Sequence, residues 1–236
     1  MSSLAERYAL VRERIAAAAR RAGRDPGAVK LVAVSKGRPV EAIRALHELG
    51  QRDFGENRIE EAGDKIIAVR AGMPDIVWHM IGHIQSRKAR AVAASFGWVH
   101  SVDSALLAEK LSRNLTRPLP ILLECNVSGE EAKYGLAAAR FDSDPAQWEA
   151  LCATAESVLA LRNLQVCGLM TMAPVVADPE QARPVFRRLR QLRDRLVARW
   201  PAAGWRELSM GMTDDFEVAV EEGATMVRIG RAIFES

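Results

Sequence analysis

The chain has 236 residues, 49% of them hydrophobic and 27% charged, with a formal net charge of +3. That is the make-up of an ordinary globular protein, and so mild a positive balance gives no argument for a nucleic-acid or membrane partner. Three cysteines (Cys125, Cys152 and Cys167) without a CxxC spacing do not suggest a disulfide framework and fit a reducing, cytoplasmic compartment.

The N-terminal stretch MSSLAERYALVRERIAAAARRAG lacks the apolar run and cleavage site of a leader. Leu4, Tyr8, Val11, Ile15 and Ala19 recur at helical spacing, which predicts a helix over 1–24. No apolar run approaches the roughly 18 residues of a membrane span. From residue 30 onward, short apolar segments alternate with helical patterns. The segments are KLVAVS, RDFGEN, IVWHMIG, WVHSVDS, PILLECNV, LQVCGLMTM, WRELSMGM and MVRIG. The helix after the first opens at Pro39 and stops at Gly50. A later one carries Phe186, Leu189, Leu192, Leu196 and Trp200 on one side and ends at Pro201. In TDDFEVAVEEG, Thr213 is the expected N-cap, with Asp214 and Asp215 in the first turn and Gly223 as the stop.

Alternating strands and helices imply a parallel sheet covered by helices. Eight units in a chain of this length predict one domain, a (β/α)8 TIM barrel over 30–234 with an extra N-terminal helix. A doubly wound open sheet is the alternative, and the absence of GxGxxG after the first strand argues against it.

Active sites of such barrels lie at the C-terminal ends of the strands. There the first strand delivers Lys36 into a turn. The plainer reading is a lysine reaching for water; the chemical one is a Schiff-base amine, activated by desolvation or by a cation such as Arg38. Ser209 and Gly211 after strand seven, with Gly230 and Arg231 after strand eight, fall where barrels often hold a phosphate, on free backbone N–H groups. The alternative is that these glycines only turn the chain. Arg228 interrupts an apolar strand and shares a face with Gly230. It suits a heteroaromatic ring with an acceptor nitrogen, or else a core carboxylate. An aldehyde-trapping lysine, a phosphate nest and an arginine for a ring nitrogen together describe pyridoxal 5′-phosphate.

At these residues the chain resembles the pyridoxal phosphate homeostasis proteins (the YggS/PROSC type). The matching stretches are LVAVSK, DFGENRIEEAGDK, WHMIGHIQSRK, SVDS, NVSGEEAKYGL, GLMTMAP and SMGMTDDFEVAVEEGATMVRIGRAIF, in order from about residue 30 to 234. The resemblance implies a single barrel of the alanine racemase N-terminal-domain type. Under it Lys36 is the cofactor lysine, Asn57 lies beside the cofactor, and Arg228 faces the pyridine nitrogen. Ser209, Met210, Gly230 and Arg231 fall on phosphate-binding positions. Arg231 stands where many members have threonine, Arg87 where asparagine is common, and Glu235 where glycine follows AIF.

An arginine against the ring nitrogen disfavours its protonation and weakens the ring as an electron sink. A racemase also needs a second acid or base, a tyrosine in related racemases. The two tyrosines here are Tyr8, on the N-terminal helix, and Tyr134, in a loop that would have to fold over the mouth. The expected role is therefore storage and delivery of the cofactor by a monomer, with apo-enzymes that require it as recipients. A weak amino-acid racemase is the alternative, and a barrel aldolase using Lys36 on a sugar phosphate is a third class. His79 and His83, four apart, suggest no metal without a third ligand. Lys133 is read as a loop lysine or a secondary aldehyde contact. The arginine-rich helix from Pro184 to Trp200 is read as a solvated face rather than a nucleic-acid surface.

Overall fold

The computed structural model describes residues 3–235. Its strands are β1 (Lys30–Val34), β2 (Asp53–Glu56), β3 (Val77–Met80), β4 (Trp98–Val102), β5 (Leu119–Asn126), β6 (Leu136–Ala137), β7 (Leu164–Met170), β8 (Glu207–Ser209) and β9 (Met226–Ile229). All eight expected strands form, and every pairing is parallel. They run β1–β2–β3–β4–β5–β7–β8–β9, and β9 pairs back onto β1 from Lys30–Met226 to Ala33–Ile229, closing the barrel. The two-residue β6 is an addition to the expected eight. Pairing of β5 with β4 ends at Leu123, and β6 takes up the edge at Cys125 and Asn126.

Helices α1 (Leu4–Arg21), α2 (Val40–Glu48), α3 (Ile59–Arg70), α4 (Ala89–Ser95), α5 (Ala105–Ser112), α6 (Pro145–Leu159), α7 (Arg183–Arg199), α8 (Phe216–Glu221) and α9 (Arg231–Phe234) surround it. Side chains alternate faces along a strand. On β1, Leu31 and Ala33 face outward into the layer shared with Ile43 and Leu46 of α2. Burying each such leucine or isoleucine contributes about 1.5–3 kcal/mol. Lys30, Val32, Val34 and Lys36 take the inner face, so the strand carries one lysine to each end of the barrel.

Helix α1 starts with a capping box: Ser3 Oγ accepts from the Glu6 N–H and Glu6 accepts from the Ser3 N–H. It packs on α8 and α9, buries Tyr8, Val11, Ile15, Ala18 and Ala19, and pairs Arg14 with Glu217 at 2.6 Å. One expected cap is wrong. Helix α8 begins at Phe216, after Asp215, because Asp215 Oδ1 accepts from the Met212 N–H at 2.6 Å and holds residues 212–215 as a turn. Thr213 Oγ1 instead accepts from the Ala232 N–H.

Several arginines of α7 are drawn into ion pairs. Arg183, Arg187 and Arg190 converge on Glu222, and Arg188 meets Asp142 at 2.6 Å. No helix among the described residues is long and apolar enough to cross a membrane.

Candidate functional site at the barrel mouth

A cavity of about 290 Å³ opens at the C-terminal ends of the strands, and Lys36, Asn57, Arg228, Gly230 and Arg231 all line it. Five of the seven residues expected at the site therefore meet in one place. The two exceptions, Ser209 and Met210, lie beneath it. Ser209 is fully buried, its Oγ 2.6 Å from Arg228 Nη1 and 2.9 Å from His100 Nδ1. The Met210 side chain joins the core, and its N–H donates to the Met226 carbonyl at 3.1 Å.

Lys36 stands two residues beyond the end of β1, and its ammonium has no ion pair or hydrogen bond among the described residues. Arg38, expected as a cationic neighbour, turns to Glu235 and the ring of Phe234. The backbone on both sides of Lys36 is clamped instead. Lys65 Nζ donates to the Ser35 carbonyl at 2.7 Å, to Glu56 Oε1 at 2.8 Å and to Glu61 Oε1 at 2.6 Å. Ser35 Oγ donates to Glu56 Oε1 at 2.7 Å, and the Gly37 N–H donates to Glu61. Burial pushes the Glu56 carboxyl up, against the pull of Lys65 and Ser35. Sequence reasoning missed Glu56, Glu61 and Lys65, although all lie within the quoted DFGENRIEEAGDK and Glu61 and Lys65 stand at the i,i+4 spacing of a helical ion pair.

Arg228 on β9 is almost fully buried. Its guanidinium makes no ion pair: Nη1 donates to Ser209 and Nη2 to the Thr171 carbonyl at 2.9 Å. Two of its five N–H donors thus have partners among the described residues, and the residue lines the cavity. Burial lowers its pKa to about 10, with Glu124 and Asp215 opposing. Glu124 on β5 is itself buried; burial and then Asp103 push its carboxyl up to about 7, and its Oε2 has no partner among the described residues.

Two glycines are needed for this geometry. A Cβ at Gly82 would stand 2.3 Å from the Asn57 carbonyl oxygen, so only glycine lets that backbone approach. Gly211 has φ +93°, and a Cβ there would meet Ala219 at 2.5 Å. Arg231, at the first position of α9, pairs its side chain with Asp214. The N–H groups of Gly230 and Arg231 lie where a helix's first turn leaves donors without intrahelical partners.

Tyr8 sits far from this cavity, its hydroxyl 3.1 Å from Gln51 Oε1, while Gln51 bonds the Leu31 and Asp53 carbonyls at the opposite end of β1 and β2. Tyr134 is exposed and outside the cavity lining: its ring stacks on His83 at 3.9 Å between centroids, and His83 Nδ1 meets Asp103 at 3.0 Å. Lys133 Nζ donates to the Met172 carbonyl at 3.1 Å and pairs with Glu130. His79 is inside the barrel and His83 at its mouth, and no group of side chains fit for a metal occurs among the described residues.

Residues 8–236 match the alanine racemase, N-terminal domain family. A pyridoxal phosphate homeostasis protein of Pseudomonas aeruginosa is 46% identical, over 99% of this chain and 96% of that one. Its counterpart in Escherichia coli is 38% identical over 99% and 97%. The chain belongs to the pyridoxal phosphate homeostasis protein family. Among solved members of this fold, PipY of Synechococcus elongatus is 36% identical and covers 98% of this chain with 100% of its own. It superposes with TM-scores of 0.84 without PLP and 0.82 with PLP bound. An alanine racemase of Corynebacterium glutamicum, 17% identical with a TM-score of 0.64, shares the fold.

Proposed function

We propose that this protein binds pyridoxal 5′-phosphate at the barrel mouth through Lys36 and holds it for storage and delivery. The observation that carries the reading is one cavity lined by both an unpartnered lysine amine and a buried arginine with donors to spare. At about 290 Å³ the cavity is near the small end of ligand pockets, roughly 300–1,000 Å³. When bound, the cofactor supplies an aldehyde and an electron-withdrawing ring. Lys36 would supply the amine that holds that aldehyde. Arg228 presents N–H donors to the ring nitrogen and, being cationic, keeps that nitrogen unprotonated. Asn57 flanks the ring. Backbone N–H groups at Gly230 and Arg231 are the donors proposed for the phosphate; Ser209 and Met210 lie beneath the cavity, Ser209 bonded to Arg228 and Met210 to the Met226 carbonyl.

Storage is favoured over turnover by what surrounds the cavity. The Tyr8 hydroxyl is committed to Gln51 at the far end of the barrel, and the Tyr134 ring is stacked on His83 outside the cavity lining. Neither is set to act as the second acid or base of a racemase. The chain is proposed to act as a single cytoplasmic domain and a monomer, with apo-enzymes that require the cofactor as recipients.

The test is a visible spectrum of the wild type and Lys36→Ala after mixing with pyridoxal phosphate, then borohydride reduction and peptide mapping. A violet-absorbing band and a label on Lys36 in the wild type, both lost in Lys36→Ala, are expected. An equal band in both proteins would sink the assignment. Conversion of L-alanine to its D form by the wild type, abolished in Lys36→Ala, would replace storage with racemisation.

A further inference from the structure

Polar side chains inside a barrel need partners, and here six of them form a line from floor to mouth. Lys30 Nζ donates to Asp53 Oδ1 at 3.1 Å, and His79 Nε2 lies 2.8 Å from the same oxygen. His79 Nδ1 is 2.9 Å from His100 Nε2, and His100 Nδ1 is 2.9 Å from Ser209 Oγ. Arg228 Nη1 closes the line on Ser209 Oγ at 2.6 Å. His79, His100 and Ser209 are completely buried. Trp98 fixes both ring planes, stacked on His79 at 5.9 Å and edge-on to His100 at 6.1 Å.

With neutral rings, one arrangement of protons satisfies every contact. A guanidinium only donates, so Ser209 Oγ accepts from Arg228. The serine proton then goes to His100 Nδ1. His100 carries its own proton on Nε2 and gives it to His79 Nδ1; His79 carries its proton on Nε2 and gives it to Asp53. Running the line the other way sets a lone pair of His79 against the Asp53 carboxylate, whose pKa burial would raise but the hydrogen bonds and charges of His79 and Lys30 bring below its ordinary value. Reversal therefore requires an extra proton on His79. The charges facing the rings are Asp53 and Lys30 at the floor and Arg228 at the mouth, with Glu124 and Asp215 acting on Arg228 from β5 and the 212–215 turn. Burial works against a charged ring at both histidines.

We infer that His79 and His100 are positioning residues: as neutral Nε2–H tautomers they couple the floor carboxylate of Asp53 through Ser209 to Arg228 and hold its guanidinium in place. Neither histidine, nor Asp53, lines the mouth cavity. The line also commits both functions of the Ser209 hydroxyl, one lone pair to Arg228 and the proton to His100, so this serine acts on the ring end of the site and not as a hydroxyl donor to phosphate. The functional consequence rests on the cavity being the pyridoxal phosphate site.

Two measurements test this separately. In the ligand-free protein, 15N chemical shifts of the two histidine rings are followed from pH 5 to pH 8. Both rings are expected as Nε2–H tautomers that do not titrate; an Nδ1–H tautomer or an imidazolium in either ring overturns the relay whether or not the cofactor binds. Then Ser209→Ala and Asp53→Asn, checked for folding by near-UV circular dichroism, are titrated with pyridoxal phosphate and with phosphate-free pyridoxal. Ser209→Ala is expected to weaken both ligands by the same factor, about 5- to 20-fold, and Asp53→Asn to weaken both by a smaller common factor and shift the visible band. Loss confined to the phosphorylated ligand in Ser209→Ala returns this serine to the phosphate and overturns the inference. So does an unchanged band and affinity in folded Asp53→Asn. A wild type that binds neither ligand refutes the cavity reading alone, leaving the ring shifts to judge the relay.

Discussion

Two lysines leave β1 on its inner face, and the barrel treats them oppositely. Lys30, at the floor, is paired with Asp53 and lies over the Trp98 ring at 5.8 Å. Lys36, at the mouth, has no partner among the described residues. The asymmetry extends to their surroundings. At the floor, Tyr8, Gln51, Asp53 and the Leu31 carbonyl satisfy one another. At the mouth, among the described residues, Arg228 keeps three unused donors and Glu124 an unpartnered oxygen. The floor lysine is thus paired within the fold, while the mouth lysine and arginine keep donors for something the fold does not itself contain. This is the physical content of the rule that stability sits at the bottom of such barrels and chemistry at the top.

The sharpest way to break the comparison is to truncate each lysine. Lys36→Ala is expected to abolish borohydride-trapped cofactor completely, while urea unfolding moves by no more than about 0.5 kcal/mol, as for an exposed residue without partners. Lys30→Ala should do the reverse, keeping the label on Lys36 and losing about 1 kcal/mol from a half-exposed ion pair. Equal effects of the two on trapping would erase the distinction between the ends.

The next largest effect concerns the clamp behind Lys36. Lys65 is 7% exposed, and removing it leaves Glu56 as an unpaired buried carboxylate. Lys65→Ala should cost about 3–5 kcal/mol in urea unfolding. Lys65→Ala combined with Glu56→Gln should recover part of that loss while cofactor trapping stays slow, because the Ser35 carbonyl and the Gly37 N–H no longer share one anchor. Full recovery of trapping in the double variant would reduce the clamp to a stability element.

Glu124 gives a smaller, pH-dependent effect. Its carboxyl is raised from 4.5 to about 7, first by burial and then by Asp103. An acid whose folded pKa is raised contributes stability that is whole below pH 4.5 and is lost as pH climbs through about 7. Across that window the slope is up to about 1.4 kcal/mol per pH unit. Glu124→Gln, which stays neutral, should therefore gain on the wild type between pH 5 and pH 8, by roughly 1–3 kcal/mol. Parallel stability curves for the two proteins would show that the carboxyl ionises freely in the folded state.

Much of this was legible in the sequence, and the limits are instructive. The eight strands could be read because each is a short apolar run ending in a polar residue, and closure followed from their number and spacing. Lys36, Asn57, Arg228, Gly230 and Arg231 could be placed together because the ends of parallel strands share one face of a barrel. Ser209 could be placed but not oriented: a hydroxyl both donates and accepts, and its direction is set by His100, 109 positions away. The role of Lys65 was hidden because its spacing to Glu61 is that of a common surface pair, while its burial against Glu56 and the Ser35 carbonyl depends on how α3 meets β1 and β2. The N-cap of α8 moved because the Asp215 carboxylate found the Met212 N–H, and a turn of four residues then replaced the expected first turn of helix.

The smallest effect is expected at Arg231. An arginine in a phosphate turn invites the view that its charge tightens the grip. The structure assigns that charge elsewhere: the guanidinium is paired with Asp214, and both side chains are more than 60% exposed. An exposed pair of this kind contributes about 0–1 kcal/mol. Arg231→Thr places a hydroxyl at the first position of α9 and leaves Asp214 free in water, while the backbone N–H stays in place. Cofactor affinity should then change by less than about 1 kcal/mol, roughly fivefold, and its salt dependence should stay as in the wild type. A loss of tenfold or more with a flattened salt dependence would mean that Arg231 leaves Asp214 when the cofactor arrives, and would move the mouth's third cation from bystander to ligand.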